Sequence, residues 1–368
     1  MASHQDITMK IGVYKARHGL LAHYLDDLVI GESLRRYGEW AEEEIHLCSL
    51  FLRPGDTVLD VGANVGSHAI AFGRIVGEAG QVVAIEGQSR ANDVLALNIR
   101  LNGMSQVTRI EGLIGRETRV MRLDGAAPGS PNNLGSVSFR GIVSGPETER
   151  PSLPVPLFTA DCLSLAACRL MKIDVEGMEL DVLLGAARTI ARHRPVIYFE
   201  QTSPANFPEI VALLVQAGYD LRWHVANPFN RRNPNGVTEN IFGGTCEVNV
   251  LAVPREEGFT PPPGLDLPPV AGDRYDPPPS ANALDGWSLP EDAYAGLPPV
   301  RHEAMIALPL PEGFVSRYDH DQLALRFADL ERDRIKAQEI MDFQARAIAE
   351  AERRLRDAAA RTGELEPA

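Results

Sequence analysis

Cysteine is scarce in this 368-residue chain: Cys48, Cys162, Cys168 and Cys246 are the only four. None forms a C-x-x-C pair that could hold zinc or run disulfide exchange, so they read as free, buried thiols. Positive charge is also short, with 36 Lys and Arg against 50 Asp and Glu and a formal net charge of −14. That balance argues against a nucleic-acid backbone or an anionic membrane as principal partner, since both require a basic face. Asp6, Lys10, Lys15, Arg17, Asp26 and Asp27 break up every apolar run near the start. Neither a secretory leader nor a spanning helix can be drawn there, and a cytoplasmic protein is the expectation. Internal repeats and a G-x-G-x-x-G phosphate loop are missing too. With 44% hydrophobic residues, the chain can still bury a substantial core in about two domains.

Where proline is plentiful it is concentrated. Fourteen of the 27 prolines fall between Pro254 and Pro311, which predicts an extended, partly polyproline linker over 255–318, with Tyr275, Trp287 and Tyr294 able to pin it to a neighbouring surface. Beyond it, residues 319–368 carry Ala, Glu, Arg and Leu without proline or glycine as far as Arg361. Apolar residues such as Leu323, Phe327, Leu330, Met341, Ile348 and Leu355 recur there at roughly 4-3 spacing. A long amphipathic helix is expected, either a coiled coil making a homo-oligomer through 319–361 or a helix packed alone.

Before residue 254, short β-branched runs alternate with helical patterns. Val58–Val61, Val82–Ile85, Val107–Ile110, Leu170–Ile173 and Val196–Phe199 read as strands, and Cys246–Val253 as a closing one. This alternation predicts a doubly wound, mostly parallel α/β sheet over 54–254, preceded by a cap segment over 1–53. Residues 117–158 read as an inserted β-hairpin beside the site, because Asp124–Ser136 is rich in Gly, Pro, Asn and Ser.

The first core strand runs into DVGANVGSHA, residues 60–69. Gly62 permits a tight turn and close ligand approach, Asn64 tolerates positive φ, and Gly66 allows strand–helix packing. Asp60 places a carboxylate at the strand end, where it would repel a pyrophosphate and suit a cationic ligand. The loop therefore favours S-adenosylmethionine over NAD. Glu86 ends the second strand, 24 residues after Gly62, at the spacing where a carboxylate accepts ribose hydroxyls.

Four stretches in order, namely YGEW (37–40), DVGANVGSHA with AIEG (84–87), MKIDVEGMELDVLLGA (171–186) and VIYFE (196–200), resemble the FkbM family of S-adenosylmethionine-dependent methyltransferases. The resemblance spans about residues 24–254 and rests most on Lys172–Gly177. It implies a class I, Rossmann-like methyltransferase fold and O-methylation of a hydroxyl on a sugar, glycan precursor or glycosylated metabolite. The implied cofactor set is Glu39, Asp60, Gly62, Asn64, Gly66, His68, Glu86, Gly112 and Leu113. Gly87-Gln88 and Thr159-Ala160-Asp161 depart from the usual family pattern.

A sugar hydroxyl is a poor nucleophile and needs a group to take up its proton. Ligands of open α/β sheets lie beyond the carboxyl ends of the strands, where Asp174, Glu176 and Glu200 fall. Asp174 is the first choice for hydroxyl contact or base, Glu200 the second. Glu176 could instead cap the next helix, and His224 is a further candidate base. A divalent cation bridged by Asp174 and Glu200 is an open alternative. Two other functions fit the same sequence: an NAD-dependent oxidoreductase, and a non-catalytic scaffold acting through its C-terminal helix.

Overall fold

The structure is a computed structural model that describes residues 11–25, 27–124, 152–201, 204–279, 286–300, 302 and 315–316. The expected helix over 319–361, its oligomer contacts and most of the inserted segment lie outside the described residues.

Five runs of β-branched and aliphatic residues form the parallel centre of the sheet: β3 (Thr57–Val61), β4 (Gln81–Glu86), β5 (Val107–Glu111), β9 (Leu170–Ile173) and β10 (Val196–Glu200). Val58, Leu59, Val82, Ala84, Leu170, Met171, Val196 and Ile197 are all buried, the near-continuous apolar pattern that strands covered on both faces require. With β11 (Tyr219–Ala226) and β12 (Glu247–Pro254) the sheet has seven strands in the order β11-β12-β10-β9-β3-β4-β5. Only β12 runs antiparallel to its neighbours. The crossover from β3 through α3 (Ser67–Val76) leads to β4, and α4 (Ser89–Leu101) leads on to β5. On the other side, α5 (Glu179–Gly185) and α6 (Ala187–His193) connect β9 to β10, and α7 (Phe207–Gln216) connects β10 to β11. This is the doubly wound, mostly parallel arrangement expected from the sequence. The strand order reverses between β3 and β9, which places a ligand crevice at their carboxyl ends.

The inserted hairpin is present as β7 (Arg119–Asp124) paired antiparallel with β8 (Ser152–Phe158), and β8 also pairs with the short β6 (Leu113–Ile114). Ahead of the sheet, β1 (Ile11–Ala16) and β2 (Gly19–Tyr24) make a hairpin, followed by α1 (Ile30–Tyr37) and α2 (Glu42–Ser49). Asn98 of α4 and Asn102, the residue that ends it, complete the outer edge of β2. Asn98 bonds both backbone groups of Ala22 at 2.6 and 3.0 Å, and Asn102 both of Leu20 at 2.8 and 2.7 Å. An otherwise open strand edge is thereby satisfied.

Residues 255–279 and 286–300 carry little regular structure, yet they are tied to the sheet domain. Leu265, Leu267, Trp287 and Leu289 join a core cluster with Leu47, Phe72 and Leu251. Tyr294 donates to Glu42 at 2.6 Å, and Trp287 exchanges backbone bonds with Phe229 and Arg231. Among the described residues no helix is long and apolar enough to cross a membrane.

Candidate active site

A pocket opens where β3, β4 and β9 end. Gly62, Asn64, Glu86, Gly87, Gln88, Gly112, Leu113, Asp174, Glu176 and Met178 contribute to its lining. Six residues expected for the cofactor or acceptor from the loops and strand ends therefore converge on one cavity with Asp174: Gly62, Asn64, Glu86, Gly112, Leu113 and Glu176.

The loop conformation follows from its residue types. Gly62 has φ +82° and Asn64 φ +49°, both in the left-handed region that glycine and asparagine tolerate. A Cβ on Gly62 would lie 1.7 Å from the Asp174 carbonyl oxygen, so the ends of β3 and β9 meet backbone to backbone. Gly66 takes φ +90° and starts α3 directly behind the loop; it does not line the pocket.

Glu86 closes the other wall. Its two oxygens accept the backbone N–H groups of Asn64 at 2.8 Å and Gln88 at 2.7 Å. Each oxygen is thus oriented while keeping a lone pair for a ligand hydroxyl. Burial pushes this carboxyl up to about 7 against the pull of those two amides. A ligand whose hydroxyls donate to Glu86 favours the ionised form. Cofactor affinity is therefore expected to hold above about pH 8 and to weaken, by up to about tenfold per unit, as the pH falls below 7. Calorimetric titration at several pH values checks this; an affinity flat through that range, or a slope that survives Glu86→Gln, would contradict it.

Beneath the loop, Lys172 links two acids. Its Nζ lies 3.0 Å from Asp174 Oδ2, 3.7 Å from Asp60 Oδ1 and 3.3 Å from the Gly62 carbonyl. Asp60 is completely buried and does not line the pocket, so its effect on a ligand is electrostatic. Burial drives it above the usual carboxylate range, with Lys172 opposing. Burial acts on Asp174 in the same sense, but Lys172 and a hydrogen bond with Glu200 outweigh it and hold the carboxyl below its ordinary value. Glu200 goes the other way: burial, then the charges of Asp174 and Glu247, push it up to about 11. The two hydrogen-bonded carboxyls are thus pushed in opposite directions, Asp174 down and Glu200 up.

Glu176 is not a helix cap. It stands at φ +49°, two residues before Met178, which precedes α5, and it faces the pocket. Burial, followed by Asp174, Glu179 and Glu247, raises it to about 7. A non-glycine residue held in left-handed backbone costs about 1–3 kcal/mol, a strain that concentrates at functional sites.

Three expected site residues sit elsewhere. His68 is buried beside Phe72, its Nε2 3.5 Å from Glu44 Oε2; burial, then Lys172, depresses it to about 4, which keeps the ring neutral. Glu39 is bonded to Arg17 at 2.6 Å, away from the pocket lining, because that guanidinium and Glu42 form a separate buried network. His224 is buried on β11, its Nδ1 2.7 Å from the Tyr198 hydroxyl and its Nε2 3.7 Å from Glu43, and it is not part of the pocket lining. Conversely, two acids that went unnoticed in the sequence stand behind Asp174. Glu44 of α2 and Glu247 of β12 share a hydrogen bond, and burial raises both. The run Glu42-Glu43-Glu44 has the appearance of a solvated helix start, and only tertiary partners such as Asn249 and His18 show it to be buried.

Residues 60–221 match the methyltransferase FkbM domain. No curated protein matches the chain. Among solved structures, the chain is similar to a methyltransferase FkbM from Methylobacillus flagellatus KT, at 18% identity and TM-score 0.37 over 55% of this chain and 45% of that one. It is also similar to precorrin-6y C5,15-methyltransferase from Geobacter metallireducens GS-15, at 14% identity and TM-score 0.34 over 57% and 87% of the two chains. A third likeness is to Aeropyrum pernix fibrillarin in complex with natively bound S-adenosyl-L-methionine, at 13% identity and TM-score 0.34 over 58% and 74%. The chain thus spans less than half the length of the Methylobacillus protein. The match to the methyltransferase FkbM domain therefore spans residues 60–221, and these hold every pocket-lining residue named above.

Proposed function

We propose that the protein transfers the methyl group of S-adenosylmethionine to a hydroxyl of a sugar, glycan precursor or glycosylated metabolite. The observation that carries this reading is the single pocket in which Glu86, oriented by two backbone amides, faces the Gly62–Asn64 turn and continues into Asp174 and Glu176. Glu86 would accept the ribose hydroxyls, the bare backbone at Gly62 would allow close approach, and the negative charge at the strand ends favours a cationic ligand. S-adenosylmethionine supplies an electrophilic methyl on a sulfonium. The chain's own task is then to hold the acceptor oxygen in line and remove its proton.

For that proton the geometry favours Glu176 over the residue ranked first from sequence. Asp174 is held ionised by Lys172 at 3.0 Å, which makes it a weak base but a firm hydrogen-bond acceptor that can orient the hydroxyl. Glu176 lines the same pocket, and a carboxyl near 7 is matched to uptake at neutral pH. Asp174, Glu176 and Glu200 each bring an oxygen within 4.8 Å of the others, a spacing a divalent cation could use. The reading routes no step through one. The test is transfer of labelled methyl from S-adenosylmethionine to a panel of neutral glycans. Labelled product that falls at least about 100-fold in Glu176→Gln is expected; an equally active Glu176→Gln would remove that assignment.

A further inference from the structure

Beyond the matched domain, residues 268–275 run along the outer edge of the sheet. Trp223 N–H donates to the Pro268 carbonyl and Val270 N–H to the Leu221 carbonyl, both at 2.9 Å, and Arg222 pairs with Pro269. This contact ends in an aromatic cluster. Phe207 and Trp223 stack at 4.9 Å, and Tyr275 meets both edge-on at 5.5 and 5.7 Å. The ring is therefore fixed by packing, and its hydroxyl donates to the Gln201 carbonyl at 3.2 Å.

Gln201 is the residue after Glu200. Its own N–H donates to the Val248 carbonyl at 2.8 Å, one step past the last β10–β12 pair, Glu200 with Asn249. The peptide that leaves β10 is thus held by the sheet on its N–H side and by Tyr275 on its carbonyl side. Glu200, at that same strand end, hydrogen-bonds Asp174. Burial, and after it the charge of Glu200, raises the Tyr275 phenol, so the hydroxyl stays a donor.

We propose that Tyr275 is a positioning residue of the acceptor site: by anchoring the Gln201 carbonyl it fixes the end of β10 so that Glu200 reaches Asp174. The inference rests on the reading of Asp174, Glu176 and Glu200 as the acceptor-side carboxyls. It makes a segment outside the family's matched span part of the working site, and it assigns the proline-rich stretch a task besides connection.

The test uses the full chain labelled with carbon-13 at the glutamate carboxyl, with the Glu200 resonance assigned by its loss in Glu200→Gln. Tyr275→Phe keeps the ring packing and deletes only the hydroxyl, so its thermal midpoint should fall by no more than a few degrees, as one hydrogen bond warrants. At one neutral pH, the Glu200 resonance is expected to sit at the position of a hydrogen-bonded carboxyl in the unsubstituted protein and to shift or broaden in Tyr275→Phe. Tyr294→Phe deletes another hydroxyl of the same stretch, the one bonded to Glu42, and should leave that resonance in place. An unmoved resonance in Tyr275→Phe, or an equal change in Tyr294→Phe, overturns the proposal. Titration of the same samples with S-adenosylmethionine keeps the two readings apart: failure to bind strikes the proposed function, whereas the resonance alone decides the role of Tyr275.

Discussion

Gly62→Ala is expected to abolish saturable S-adenosylmethionine binding, a loss of at least about 100-fold or about 3 kcal/mol. The added Cβ would lie 1.7 Å from the Asp174 carbonyl oxygen and 2.8 Å from its carbon, far inside any contact distance. Neither strand end can yield cheaply. Gly62 N–H donates to the Ile85 carbonyl and Asp174 N–H to the Val61 carbonyl, both at 2.9 Å, so separating the backbones breaks the sheet at its switch point. The φ of +82° adds strain of its own. Gly55→Ala provides the comparison, because Gly55 has φ +93° with nothing within 4 Å of its Cβ. It should cost only about 1 kcal/mol of stability and bind as the unsubstituted protein does. Equal binding by both variants would mean that the approach of β3 to β9 does not shape the cofactor site.

Lys172→Met carries the second large effect, about 3–5 kcal/mol of stability at neutral pH. The Lys172 side chain is 4% exposed and lies between Asp60, fully buried, and Asp174. Removing it leaves two carboxylates without their cation. Burial works against the charged lysine, yet the two aspartates outweigh it and raise the ammonium above its ordinary value. The pH dependence has a definite sign. Asp174, held below its usual range by Lys172, contributes stability that is present above the unfolded value and lost only on strong acidification. Without Lys172, Asp174 joins Asp60 above that range, and both favour the folded state only when protonated. The variant should therefore lose more stability at about pH 8 than at about pH 5 in urea denaturation. A loss independent of pH would point to packing instead of charge.

The parts of this site that could be read from sequence are those set by neighbouring residues. The turn at Gly62–Asn64 needs residue types that tolerate positive φ, and Glu86 stands at the spacing one β–α–β unit imposes. The Lys172–Gly177 run is a strand end and its following turn, so its place at the mouth of the pocket follows once the sheet is parallel. What escaped depends on partners far along the chain. Glu39 is a ligand that only the family resemblance implies, and Arg17, 22 residues earlier, holds it in another network. His224 looked like a base at a strand end, and Tyr198 and Glu43 enclose it. Glu44 and Glu247 carry no local sequence signal, and only the fold brings them together in a shared hydrogen bond where burial raises both. Proline content leads to the expectation of an extended linker, and it says nothing of Leu265, Trp287 and Leu289, whose apolar surface joins the core.

The central claim is that the Gly62–Glu86 pocket holds S-adenosylmethionine. Its most direct test is calorimetric titration of the full chain, at about pH 8, with S-adenosylmethionine, S-adenosylhomocysteine and NADH, in the presence of magnesium and of a chelator. The account predicts saturable binding of the first two, unchanged by the chelator, and no competition from NADH. A folded sample that binds neither S-adenosyl compound, or that binds NADH in their place, would contradict it.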